Sequence, residues 1–161
     1  MLFPTQRLEK TMQRAALFMV VDSDPVTAQK VITATRDYPS EVVAYSSLGS
    51  MLEALDDNPA VDVIVLNLER PFERMFELLP DLKARFPKTE IVFVTRSDDE
   101  SLWVEAIQRG AYDVVPRPLD PLELSRILIS AGERHRTIKA PKKPPADSIS
   151  ANRAKAYYSA L

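Results

Sequence analysis

Asp22, Ser23 and Asp24 follow one short apolar run of this 161-residue sequence, Asn67 follows a second, Thr95, Arg96 and Ser97 a third, and Arg117 with Pro118 a fourth. Brought together, these residues offer carboxylates, an amide, hydroxyls and guanidinium groups. Such a set can hold an ion, or it can close on itself. Covalent chemistry is less available. The chain has no cysteine, so a thiol nucleophile and a thiolate zinc site are excluded. Its single histidine, His135, has no serine, cysteine or metal-ligand partner at usable spacing and is expected at a helix end or on the surface.

A nucleotide site needs a glycine-rich turn after the first strand, so that backbone N–H groups can approach phosphate. Here that turn reads Asp22-Ser23-Asp24-Pro25, and its carboxylates would repel phosphate. The three glycines, Gly49, Gly110 and Gly132, all lie elsewhere. Flavin, NAD and P-loop readings are therefore set aside.

The elements that must position these residues are legible from hydrophobic periodicity. Leu17 to Val21, Val63 to Leu66, Ile91 to Val94 and Val114 to Val115 are apolar runs of the kind that form strands buried on both faces. Glu41 to Tyr45 is more mixed and reads as an edge-ward strand. Between them, helical spacing joins Val26, Ile32 and Thr33; Leu48, Met51, Leu52 and Leu55; Met75, Leu78, Leu79 and Leu82; and Leu102, Trp103, Ala106 and Ile107. Asp24-Pro25 and Asp120-Pro121 have the form of an N-cap followed by a first-turn proline, Asp98 to Glu100 charges a helix start, and Gly110 stands where a helix C-cap belongs. Strand and helix alternate as an α/β doubly wound parallel sheet of five βα units, and ligands of such sheets sit beyond the carboxyl ends of the strands.

The domain is expected over residues 16–138, with an N-terminal extension over 1–15 and a linker or tail over 139–161. In that tail Pro141, Pro144 and Pro145 stand among lysines and small polar residues, and Ala151 to Leu161 is compatible with a short helix. Composition is that of a globular protein, 45% hydrophobic and 27% charged. A net charge of -2 gives no electrostatic reason to expect nucleic-acid or anionic-membrane binding. The first fifteen residues are broken by Pro4, Arg7, Glu9, Lys10 and Arg14, unlike a signal peptide, and no run reaches the roughly 18 apolar residues of a membrane span. A cytoplasmic location is expected.

The stretches FMVVDSDP, VDVIVLNLERP, IVFVTRSDD and GAYDVVPRPLDPLEL resemble, in order and at matching intervals, the receiver domain of two-component response regulators across roughly Ala16 to His135. The resemblance implies a flavodoxin-like (βα)5 fold with strand order 2-1-3-4-5. It also implies a site in which two acidic residues after the first strand and an aspartate after the third hold Mg2+, the aspartate accepting phosphate. A hydroxyl after the fourth strand and a lysine after the fifth contact the phosphoryl group. In this chain Asp22 and Thr95 keep two of those positions. Ser23 takes the second acidic place, Asn67 the phospho-acceptor place and Arg117 the lysine place, while Arg96 follows the hydroxyl where a small residue is usual. Val114 stands where the family carries its aromatic switch residue.

An amide oxygen is not an ionised nucleophile, so an acyl phosphate cannot form on Asn67. Losing two carboxylates removes most of the charge that would hold Mg2+, so no cofactor or metal is expected. Arg117 is expected to fork onto Asp22 or Asp24 as a permanent pair. The resulting expectation is a non-enzymatic, phosphorylation-independent pseudo-receiver that binds a protein partner, or a second copy of itself, through the fourth helix, fifth strand and fifth helix. Leu122, Leu124, Ile127, Leu128 and Ile129 put apolar residues on more than one side of that last helix. The alternative is a small anion or nucleotide bound in the pocket of Asp22, Thr95 and Arg117, with Arg96 and Arg117 supplying the affinity. Plainer roles run alongside: Asp24 as a helix cap, Asn67 and Thr95 bonded to their own loops, and Trp103 in the core or at an interface.

Overall fold

The computed structural model of the chain describes residues 14–57 and 60–135; residues 1–13 of the expected extension and the whole expected tail lie outside them. The elements run β1 (Ala16–Val21), α1 (Pro25–Ala34), β2 (Ser40–Tyr45), α2 (Leu48–Asp57), β3 (Val63–Asn67), α3 (Phe72–Arg85), β4 (Glu90–Thr95), α4 (Glu100–Gln108), β5 (Asp113–Pro116) and α5 (Pro121–Glu133). All strand pairs are parallel, in the order β2-β1-β3-β4-β5, which is the flavodoxin-like topology the sequence implies. The mixed run Ser40–Tyr45 is one of the two edge strands.

The apolar runs are continuous because the sheet is covered on both sides, so side chains alternate between two cores. From β1, Phe18 and Val20 face one core with Val31 of α1 and Leu124, Ile127 and Leu128 of α5. Met19 and Val21 face the other, with Met51 and Leu55 of α2, Phe76 and Leu79 of α3, and Trp103 of α4. Trp103 is therefore a core residue.

One expectation needs correction. In α1 the expected inward face of Val26, Ile32 and Thr33 points to solvent, and Thr27, Ala28 and Val31 are buried instead. The small side chains at 27 and 28 let the helix lie close to its neighbours, and that closeness outweighs the apolar spacing. In α5, Leu124, Ile127 and Leu128 are buried, which leaves Leu122, 70% exposed, and the half-buried Ile129.

Helix starts follow their caps. Asp24 accepts from Val26 N–H, Asp99 from Ser101 N–H and Asp120 from Glu123 N–H. Gly110 closes α4 at φ 114°, a conformation that favours glycine.

The sheet edge opposite the C-terminal ends of the strands is pinned by two buried carboxylates. Asp62 accepts two bonds from Arg14, at 2.8 and 3.1 Å. Glu90 is paired with Lys83, Arg134 and His135, whose Nε2 lies 2.8 Å away. The histidine thus has a partner that sequence spacing did not reveal, because Glu90 is 45 residues distant. Among the described residues, no helix is long and apolar enough to cross a membrane.

Candidate functional site

The strand order reverses between β1 and β3, and a crevice must open there beyond the strand ends. Register places the residues around it. Val21 is level with Leu66, so Asp22 and Asn67 emerge side by side. Asn67 is level with Val94, and Thr95 with Pro116, which brings Thr95, Arg96 and Arg117 to the same edge. The backbone stays paired past the strands, with Leu68 N–H donating to Val94 O and Arg117 N–H to Thr95 O, both at 2.8 Å.

Arg117 organises the site. Its Nη2 donates to Asp22 Oδ2 at 2.7 Å and to Asn67 Oδ1 at 3.2 Å, while Nη1 and Nη2 both lie 3.2 Å from Thr27 Oγ1. Thr27 in turn donates its hydroxyl to Asp22 Oδ2 at 2.5 Å. The other Asp22 oxygen accepts the N–H of Asp24 at 3.1 Å. Asn67 presents its oxygen to Arg117 and donates its Nδ2 to Glu69. One guanidinium thus ties together β1, α1, β3 and the loop after β5.

This arrangement refines the expected pair. Arg117 chooses Asp22, because Asp24 caps α1. The contact to the carboxylate runs through Nη2 alone, because Nη1 is directed to the threonine, while the threonine and the asparagine share Nη2. Asn67 bonds side chains and not loop backbone. Thr95 is buried, and its hydroxyl oxygen accepts Ser97 N–H at 3.0 Å, the loop-bonding role. Val114 is buried in the core that also holds Trp103.

Thr27 and Glu69 complete the network and were missed. Thr27 lies five residues beyond Asp22, in the first turn of α1, and Glu69 two residues beyond Asn67, so spacing offered a weak signal for each.

Burial of Asp22, whose side chain is 4% exposed, works to raise its pKa. The bonds from Thr27, Asp24 N–H and Arg117, with the Arg117 charge, overcome that and hold it below the ordinary 3.8. A depressed folded-state pKa means stability that is complete above the unfolded value and lost as pH falls through the folded one. Urea unfolding of the wild type between pH 6 and 3 is therefore expected to show its advantage over Asp22→Asn shrinking once the pH drops below about 4.

Around this network lies an open cleft of about 490 Å³, lined also by Ser23, Asp24, Arg70, Arg96 and Ser97. Arg96 is exposed at its edge and makes no bond to Asp22, Asn67, Thr95 or Arg117. Arg117 points its terminal donors at protein oxygens, so the anion affinity expected of the Arg96–Arg117 pair is left largely to Arg96. Among the described residues, no group of three or more His, Cys, Asp or Glu side chains converges where it could hold a metal ion.

A family model described as response regulator receiver domain matches residues 18–129. The DNA-binding transcriptional regulator NtrC of Klebsiella pneumoniae is 26% identical over 141 residues, which cover 88% of this chain and 30% of that protein. The chain therefore spans under a third of the length of this curated relative. A response regulator from Thermotoga maritima superposes with a TM-score of 0.68 at 18% identity, covering 74% of this chain and 98% of its own. A response regulator receiver domain protein from Clostridium thermocellum does so with a TM-score of 0.64 at 22% identity, covering 74% and 95%. The five-stranded fold agrees with the family match, which runs from within β1 to within α5, and the chain belongs to the response regulator receiver domain family.

Proposed function

We propose that this receiver works without phosphorylation, as a non-enzymatic, cytoplasmic protein-interaction module of bacterial two-component signalling. One observation carries the reading: the residue at the end of β3 is an asparagine, and its oxygen and that of Asp22 are already bridged by Arg117 Nη2, at 3.2 and 2.7 Å. The Asn67 amide lacks the ionised oxygen that attacks phosphorus.

A divalent ion does not fit this donor set. Mg2+ is held by charged oxygens in near-octahedral geometry. Here Asp22 accepts from Arg117, Thr27 and Asp24, the oxygen of Asn67 faces a guanidinium, and Ser23 adds only a neutral hydroxyl. A cation of the protein's own, Arg117, already neutralises the carboxylate that such an ion would need.

The partner is proposed to dock on α4, β5 and α5, where Leu122 is exposed; a second copy of the chain is the other candidate for that face. Incubation with acetyl phosphate and Mg2+, followed by intact-mass measurement, tests the central part. The expected spectrum shows no phosphorylated species; a stoichiometric, acid-stable or acid-labile phosphoryl adduct on the folded chain contradicts the proposal.

A further inference from the structure

A second concavity, a groove of about 570 Å³, opens beside the cleft. The start of α2 bounds it on one side and the first turns of α3 on the other. Its floor is apolar. Leu66 is buried there, whereas Leu48, Met75 and Leu78 pack against the core yet remain only half-buried.

The charges around this floor are unevenly engaged. Asp22 is neutralised by Arg117, and Glu69 accepts the amide of Asn67. Arg70 and Arg74 are exposed, and among the described residues neither makes an ion pair; Arg70 lies over the Phe72 ring, 5.3 Å from its centroid. The groove therefore presents apolar surface edged by two guanidinium groups without ion-pair partners and one carboxylate, Glu69, and the guanidiniums are fork-shaped donors suited to carboxylates.

We infer that this groove docks an acidic peptide segment of a partner protein, with an apolar side chain seated on the Met75–Leu78 floor and a neighbouring carboxylate held by Arg70 and Arg74. The chain's own tail is a poor occupant, because Lys139, Lys142 and Lys143 would meet the arginines with like charge. This site is distinct from the α4–β5–α5 face. It rests on the proposed permanence of the Arg117 network to one extent: the Asn67 Nδ2 to Glu69 bond holds the loop that separates cleft from groove. An aspartate at 67 would have no N–H to donate there.

The test is selection from a random peptide library displayed on phage against the full chain, followed by fluorescence anisotropy with the best synthetic peptide. Selected peptides are expected to place Asp or Glu beside Leu, Phe or Met. Their affinity is expected to fall at least about tenfold in the double variant Arg70→Ala/Arg74→Ala and with added salt, but not in Arg126→Ala on α5. The substituted residues are all exposed, so the variants should keep their fold, and circular dichroism checks this. No acidic enrichment, or an affinity unchanged in the double variant, overturns the proposal. So does a concentration-dependent dimer lost in the same variant, which would make the occupant a second copy. A chain that takes up phosphate yet selects acidic peptides would sink only the phosphorylation-independent reading; an inert chain that selects none would sink only the groove.

Discussion

Replacing Arg117 by methionine is expected to lower the free energy of unfolding by about 3 kcal/mol, the lower end of the roughly 3–5 kcal/mol that follows from removing one partner of a buried ion pair. The apolar part of the side chain is kept, so the loss comes from the charge and its hydrogen bonds. Asp22, 4% exposed in the wild type, would be left with only Thr27 and the Asp24 N–H to stabilise its charge, and Asn67 Oδ1 would lose its donor. The lower end applies because Arg117 itself is 17% exposed at the cleft, where water can enter and relieve part of the penalty. Without the Arg117 bond and charge, less would oppose the burial of the Asp22 carboxyl and its pKa would be depressed less, so the variant is expected to lose less stability than the wild type on acidification. Urea denaturation at neutral and acidic pH measures both effects. A stability within about 0.5 kcal/mol of the wild type at neutral pH would show that the guanidinium is a surface ornament of the cleft.

A second large effect is expected at Phe93→Ala on β4, which lies between the site-bearing strands β3 and β5. Phe93 is fully buried in the core that also holds Phe76, and the two rings meet edge to face with centroids 6.4 Å apart. Truncating a buried phenylalanine costs about 3–5 kcal/mol, from lost transfer energy and the cavity left behind, and the aromatic pair adds to it. Leu66 and Val114 share that core from the flanking strands, and close packing around them limits collapse into the space. The change leaves every residue of the Arg117 network in place. The folded fraction of this variant should therefore keep the wild-type spectroscopic signature of Asn67 and Arg117. Thermal and urea unfolding read the first expectation, and nuclear magnetic resonance of the folded fraction reads the second.

The strands were the most legible part of the sequence, because burial on both faces leaves an unbroken apolar run that needs no knowledge of partners. Helix starts were legible for a similar reason, since Asp24, Asp99 and Asp120 act within their own segments. The face of α1 was misread. Apolar spacing selects Val26 and Ile32, but which side of a helix is buried depends on what packs against it, and Thr27 and Ala28 are small enough to sit close. At the site, a pairing of Arg117 with a carboxylate after β1 could be expected from charge and from the family pattern. Its division among Asp22, Thr27 and Asn67 could not, because it depends on where the loop after β1, the first turn of α1 and the end of β3 meet. The same holds for Glu90 and His135, whose pairing joins β4 to the end of α5.

The groove beside the cleft shows the same limit from another direction. Leu48, Met75 and Leu78 carry the same helical pattern as their buried neighbours Met51 and Leu79, and only the packing distinguishes a core position from one left half open.

Arg117 as the permanent cation of the pocket is tested most directly by titrating Mg2+, with and without beryllofluoride, into 15N-labelled protein while following the Asn67 side-chain amide and the backbone amides of Asp22, Asn67 and Arg117. The expected result is no saturable shift at any of them. A saturable, beryllofluoride-dependent shift converging on those resonances would contradict it, because it would mean that metal and phosphoryl mimic displace the guanidinium and that the site still switches.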